Sequence, residues 1–261
     1  LIKPGAPEIL DGVDDNCNGI NDDFTFVQIN PFGLSNLPDY HNGIDFIDLD
    51  GDNDMDLMGG GFLYFENTGT FSTPAFIPPL DNPFGLTGGQ LPSFADLDGD
   101  GDMDLMAQST LLGYWYLYYS ENTGTASAPD FATPQINPFG IPGLYFADPA
   151  FADLDADGDF DLMVGGYEDF CYFQNIGTVS APAFATVQIN PFGLSSVDYS
   201  TPAFADVDGD GDIDLISGSL DEYNNKKYYF QNIGTPAAPA FAPVQINPFG
   251  LSNLPDYHNG I

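Results

Sequence analysis

The phrase Asn-Pro-Phe-Gly occurs five times in this chain, starting at Asn30, Asn82, Asn137, Asn190 and Asn247, at intervals of 52, 55, 53 and 57 residues. A return at near-constant spacing means that one supersecondary unit has been copied, and that the copies must stack to bury their apolar faces. Between the anchors the same parts recur in the same order: an acidic loop, a short apolar run, an aromatic run, an Asn-x-Gly-Thr turn and an extended Pro-Ala-Phe-like stretch.

The aromatic runs, Leu63-Tyr64-Phe65, Leu117-Tyr118-Tyr119, Cys171-Tyr172-Phe173 and Tyr228-Tyr229-Phe230, read as strands. The turns after them begin at Asn67, Asn122, Asn175 and Asn232, and supply Asn and Gly where positive φ is cheap. The 22 prolines and 30 glycines leave no stretch of helical length uninterrupted. The fold expected is all-β, built of β-propeller-like blades of about 50–57 residues, with four full repeats and a partial fifth. The repeats are set at about 27–79, 80–133, 134–186, 187–243 and 244–261, after a leader over 1–26. A β-sandwich with chance internal similarity is the competing reading, and five in-register returns disfavour it.

One similarity is complete: residues 27–44 (VQINPFGLSNLPDYHNGI) return letter for letter as residues 244–261. After Ile44 the first copy runs directly into an acidic loop, so the natural polypeptide is expected to continue beyond the second. The chain opens without an initiator Met or an export signal, which is read as processing, as a segment of a longer protein, or both.

Charge narrows the partners. The 261 residues carry 39 acids against three lysines (Lys3, Lys226 and Lys227) and no arginine, for a net charge of −36. A phosphate backbone would be repelled, so nucleic acid is excluded, and an anionic membrane surface is disfavoured. No apolar run approaches the roughly 20 residues that span a bilayer. With 43% hydrophobic residues the chain can still build a core, provided that cations offset the repulsion.

The acids are not scattered: 20 of the 39 fall in four copies of Asp-x-Asp-x-Asp-Gly/Asn-Asp-x-Asp. The copies are Asp48, Asp50, Asp52, Asp54 and Asp56; Asp96, Asp98, Asp100, Asp102 and Asp104; Asp153, Asp155, Asp157, Asp159 and Asp161; and Asp206, Asp208, Asp210, Asp212 and Asp214. Alternate carboxylates converge when the backbone curls, and an oxygen-only cluster suits Ca²⁺, whereas zinc prefers nitrogen or sulfur. Position six must turn sharply, as Gly101, Gly158 and Gly211 do freely and Asn53 does tolerably. Position seven is expected to offer its backbone carbonyl and position nine to close the site with a carboxylate. An EF-hand would need Glu at position twelve, where Gly59, Ala107, Val164 and Ser217 stand. Four Ca²⁺ ions are therefore expected. Solvated acidic runs lack this fixed phase and its embedded apolar residues, Leu97, Leu105, Val207 and Leu215 among them.

The run Phe94-Ala95-Asp96-Leu97-Asp98-Gly99-Asp100-Gly101-Asp102-Met103-Asp104-Leu105 resembles the FG-GAP or VCBS-type repeat of integrin α-chain-like β-propellers, over roughly residues 27–261. The resemblance implies Ca²⁺ in a hairpin loop on one rim of each blade, where the metal holds the loop and performs no chemistry. The family commonly closes rings of seven blades. Four units and a fragment fall short of that number, so open stacking or completion by another molecule enters as an alternative.

The leader holds a fifth candidate loop, with Asp14, Asn16, Asn18, Gly19 and Asp22 at positions one, three, five, six and nine. Residues 8–19 also resemble a short metal-binding motif of bacterial surface proteins that usually carries two cysteines. Leu10 stands where the first would be, which leaves Cys17 without that partner, and Cys171 lies in an unrelated aromatic strand.

No catalytic constellation is legible. His41 and His258 are one position of the duplicated phrase, and no nucleophile–base–acid set surrounds them. Paired carboxylates suggest glycoside hydrolysis, but acids committed to a cation are poor proton donors. The expectation is a non-enzymatic, secreted, calcium-stabilised structural or adhesive repeat protein of a bacterial surface, as a tandem-array or filament subunit self-associating through residues 27–44 and 244–261. The alternatives are a carbohydrate-binding module using the patch Tyr114-Trp115-Tyr116-Leu117-Tyr118-Tyr119, and an accessory domain of a larger secreted enzyme. Extracellular calcium modules bind at about 10⁻⁴ to 10⁻³ M, which suits an exported location.

Overall fold

The structure is a computed structural model, and it describes residue 34 and residues 43–70, 73–86, 89–111, 114–144, 146–219 and 226–249. The predicted fifth loop around Asp14, Asn16, Asn18 and Asp22, together with Cys17, His41 and His258, lies outside the described residues.

Sixteen short strands form four antiparallel four-stranded sheets among the described residues, each a meander in which neighbours in sequence are neighbours in space. The first sheet holds β1 (Ile44–Ile47), β2 (Asp56–Gly59), β3 (Leu63–Phe65) and β4 (Leu80–Asp81). The second holds β5 (Gln90–Ala95), β6 (Asp104–Leu111), β7 (Tyr114–Ser120) and β8 (Gln135–Ile136). The third holds β9 (Asp148–Ala152), β10 (Asp161–Gly165), β11 (Phe170–Phe173) and β12 (Gln188–Ile189), and the fourth β13 (Ser200–Ala205), β14 (Asp214–Ser219), β15 (Tyr228–Phe230) and β16 (Gln245–Ile246). These are the four blades of a β-propeller, with the first strand of each blade innermost: β1 packs on β5, β5 on β9 and β9 on β13. The all-β, bladed expectation holds, with four blades among the described residues.

The registers place equivalent residues at equivalent points. Phe46, Phe94, Phe151 and Phe204 on the first strands face Leu57, Leu105, Leu162 and Leu215 on the second. A lone blade would leave both faces wet, and the core accordingly lies between blades. One apolar cluster joins blades one and two through Ile47, Leu49, Met58, Leu86, Leu105 and Tyr118. A second joins blades two and three through Ala95, Leu97, Met106, Ile141, Leu162 and Phe173, and a third joins blades three and four through Ala152, Leu154, Met163, Leu194, Leu215 and Phe230.

The recurring phrase is the connector between blades. Its Asn sits in the left-handed region at Asn82, Asn137, Asn190 and Asn247 (φ 44° to 52°), a conformation Asn tolerates better than most residues. Its Phe stacks on the tyrosine of the blade just completed, as Phe84 on Tyr64, Phe139 on Tyr119, Phe192 on Tyr172 and Phe249 on Tyr229, with ring centroids 5.0–5.1 Å apart. The aliphatic residue after Gly (Leu86, Ile141 or Leu194) then drops into the junction with the next blade.

Candidate metal centres

Each acidic segment is the hairpin between the first and second strands of a blade, so its last aspartate is the first residue of β2, β6, β10 or β14. Position six has positive φ in all four loops, from 70° at Asn53 to 97° at Gly158. Position four does too, at Gly51, Gly99, Gly209 and, without glycine's freedom, Ala156 (φ 57°). Two left-handed residues two apart curl the loop tightly, and sequence reasoning identified only the second.

Position one ties the curl together. Asp96 accepts from the N–H of Gly99 (2.7 Å) and of Gly101 (3.1 Å), and Asp48 and Asp206 repeat the pattern. Asp153 accepts instead from Asp157 and Gly158, both at 3.1 Å. The curl brings carboxylates together: oxygens of Asp48, Asp50 and Asp56, of Asp96, Asp98 and Asp100, of Asp153, Asp155 and Asp157, and of Asp206, Asp208 and Asp210 lie within 4.8 Å of one another in each set. At position three, Gln174 donates to Asp155 (2.7 Å) and Gln231 to Asp208 (2.6 Å), which fixes those carboxylates from the third strand's side. Position five, represented by Asp52, Asp100, Asp157 and Asp210, accepts the N–H of position seven at 3.0–3.2 Å.

Position seven differs from its neighbours. Asp54, Asp102, Asp159 and Asp212 are only 5–7% exposed, and in every one Oδ1 is buried without a hydrogen-bond partner among the described residues. An acid oxygen left so is costly unless a cation reaches it. Burial, and then repulsion from the other loop carboxylates, pushes Asp102, Asp159 and Asp212 up to about 6, and Asp54 in the same direction. Asp155 Oδ1 is orphaned in the same way.

Position nine is the opposite case. Asp161 accepts from the Tyr172 hydroxyl (2.8 Å) and the Leu154 N–H (3.2 Å) on one oxygen, and from the Asn175 N–H (2.7 Å) on the other. Asp56, Asp104 and Asp214 are held identically by Tyr64, Tyr119 and Tyr229, by the N–H of Leu49, Leu97 and Val207, and by the N–H of Asn67, Asn122 and Asn232. Burial raises Asp104 and Asp161 to about 6 in spite of these donors, and the paired phenols are pushed well up, so they stay protonated and donating. The turn asparagine completes the relay. Asn175 Oδ1 accepts from the N–H of Gly177 and Ala183, and Asn67, Asn122 and Asn232 do the same in their own turns. The Asn-x-Gly-Thr signature therefore serves two purposes, a turn and a clamp on the position-nine carboxylate.

Two acids outside the loops were not singled out from the sequence. Asp45 on β1 accepts the Phe94 N–H (2.8 Å) across the first junction and is raised to about 6 by burial; Asp148 on β9 is buried and raised well above the usual carboxylate range, first by burial and then by Asp45. The aromatic patch of β7 is largely spent on packing: Tyr118 and Tyr119 are buried, and half-buried Trp115 meets Phe146 edge-on at 6.3 Å. Cys171 is a free, half-buried thiol pushed up to about 11 by burial and by Asp169. No helix among the described residues is long and apolar enough to cross a membrane.

Four blades that each carry an oxygen-rich hairpin on the same strand pair define a β-propeller with repeated candidate metal loops. Residues 96–164 and 153–217 match the FG-GAP-like repeat, so the stretch from the second loop to the fourth blade is built of FG-GAP-like repeats. Residues 1–23 match a second family model, described as "Putative metal-binding motif". Among solved structures, the chain is similar to an Agrocybe aegerita lectin studied for specific recognition of non-reducing terminal N-acetylglucosamine, at 20% identity and a TM-score of 0.41, covering 79% of this chain and 52% of that one. It is also similar to part of the Photorhabdus luminescens Tc holotoxin pore, at 20% identity and a TM-score of 0.39, covering 80% of this chain and 9% of that one. The chain thus spans about half the length of the first and a small part of the second. No curated protein matches it in sequence.

Proposed function

We propose that the chain is a non-catalytic, calcium-rigidified structural repeat that works outside the cell, where its rigid blades present surfaces for adhesion or assembly. The observation that carries this reading is the orphaned position-seven oxygen, present in all four loops beside three clustered carboxylates. A hard divalent cation that takes six or more oxygens would relieve both the repulsion and the missing partner, and Ca²⁺ fits a flexible all-oxygen loop better than Mg²⁺ does. In blade one Asp48, Asp50 and Asp56 with Asp54 would hold it, and in the other blades Asp96, Asp98 and Asp100 with Asp102, Asp153, Asp155 and Asp157 with Asp159, and Asp206, Asp208 and Asp210 with Asp212. The ion would supply cross-linking charge and no reactive centre. Affinities in the range of such modules require millimolar calcium, hence the extracellular assignment.

The test is thermal unfolding in millimolar Ca²⁺ and in excess EGTA, with bound metal counted by mass spectrometry under native conditions. At ten- to hundredfold saturation each loop contributes about 1.4–2.7 kcal/mol, or about 6–11 kcal/mol over four loops. Four ions in blades one to four and a large loss of stability in EGTA are expected. A melting temperature indifferent to calcium would refute the reading.

A further inference from the structure

Every junction between blades is built from one trailing face and one leading face, and among the described residues one of each has no blade packed on it. On the trailing side, the set Ile47, Leu49 and Met58 of blade one is 0–5% exposed, as are its equivalents Leu97, Met106, Leu154 and Met163; Ala95 and Ala152 are buried as well. In blade four the corresponding Ala205 is exposed, and Val207 and Ile216 are half-buried. On the leading side, Phe94 of blade two is 9% exposed, Phe151 and Phe204 are half-buried and Pro149 and Pro202 are buried; in blade one Leu34 covers Leu57 and Phe65, but Phe46 and Ile44 are 51% and 50% exposed.

The loops give the same answer independently. The Thr turn of blade two lies over the loop of blade one, Ser127 against Gly51, and that of blade three over the loop of blade two, Val179 and Ser180 against Gly99. Among the described residues nothing lies within 4 Å of the corresponding point at Gly209. Among the described residues β13 and β1 make no contact comparable to those between the other inner strands.

We propose that the trailing face of blade four receives the leading face of blade one from a second copy of this chain, so that copies join head to tail. The proposal gives the structural reading a partner and a surface. The occupant follows from the sequence: each internal junction is entered through an Asn-Pro-Phe-Gly connector, and the connector that follows blade four is, over 18 residues, identical to the one that leads into blade one. A blade entered through that connector is therefore the kind whose approach to blade four the sequence encodes, and blade one is such a blade. Such a contact is heterologous, using two different patches, and propagates into a ring or filament rather than ending at a dimer.

Sedimentation velocity across a concentration series, in millimolar Ca²⁺ and high salt to screen the net charge, reads the outcome. The wild-type chain is expected to form species larger than a dimer. Phe46→Asp blocks one face and Ile216→Asp the other; each forces an unpaired carboxylate into an apolar junction and should weaken association by about 100-fold or more. Because the two blocks lie on different faces, mixing the variants should restore association but stop it at a heterodimer. Ile44→Asp and Val207→Asp repeat the test at neighbouring sites if either first variant melts early. Monomers at all concentrations, which blade one closing on blade four of its own chain would give, or a dimer untouched by both blocks, would overturn the proposal. Monomers whose melting still depends on calcium would leave the calcium reading standing, while assembly that persists in EGTA would separate this inference from it.

Discussion

Positions seven and nine of each acidic hairpin are the same residue two places apart, and the fold treats them in opposite ways. Asp161 has both oxygens occupied by protein donors, while Asp159 has one oxygen buried with none. The difference assigns the two carboxylates different surroundings: position nine is held by protein donors in every blade, with Asp56 also close to Asp48 and Asp50 in the first loop, whereas position seven keeps a buried oxygen that a proton or an outside cation would relieve. A repeat that writes Asp at every odd position therefore encodes a cluster of loop carboxylates fastened to a clip of protein donors.

The largest effect expected from breaking this comparison is at the clip. Asp161→Ala removes the acceptor for three donors and leaves the Tyr172 hydroxyl and two buried N–H groups without a partner, which should cost about 3–5 kcal/mol. The loss should be nearly the same in Ca²⁺ and in EGTA when followed by chemical denaturation. A loss seen only in Ca²⁺ would mean that position nine is chiefly a metal ligand, as the sequence reading has it, and the contrast with position seven would disappear.

A smaller change at the same clip sharpens the point. Tyr172→Phe removes one hydrogen bond to a charged acceptor while leaving the ring stacked on Phe192, and should cost about 1.5–3 kcal/mol. Calcium affinity should change by less than the stability does, because the carboxylate keeps two N–H donors. A tenfold fall in affinity with little loss of stability would place the tyrosine in the metal's service.

Sequence made the repeat, the strands, the acidic hairpins and the position-six turn legible because each rests on local chemistry: Gly or Asn where φ is positive, aromatic runs where strands lie, Asp at fixed phase. What it missed is what depends on register. Nothing local in Tyr172 says that it faces Met163 across the ladder and so reaches Asp161, nor that the Asn175 N–H closes the same carboxylate from a turn 14 residues on. Ala156 at positive φ was hidden as well, because its sisters are glycine and it is held there by the loop around it. The unequal blade faces were illegible for a different reason. Phe46 and Phe94 are equivalent in the repeat, and only the stacking order decides that one is covered and the other half-exposed.

The smallest effect is expected at position seven, and it carries the most information because its sign should reverse. Without metal, the Asp159 carboxyl is raised to about 6 by burial and by Asp157 and Asp155, above its value in the unfolded chain. A group raised in this way favours the folded state when protonated, so the metal-free protein should lose stability as pH rises from about 4 to 6 and regain it on acidification from 7 to 5. Bound calcium reverses the order, since it holds the carboxylates ionised below their unfolded values, and stability is then lost as pH falls. Asp159→Asn follows the same logic at constant pH. In EGTA it removes one member of a crowded anionic set and should stabilise by up to about 1 kcal/mol; in Ca²⁺ it removes a ligand charge and should weaken that loop about tenfold, or about 1.4 kcal/mol. A pair of melting curves at pH 7, with and without calcium, reads both signs. Two changes of the same sign would mean that the orphaned oxygen is satisfied by water alone and that the cation is held by positions one, three and five without it.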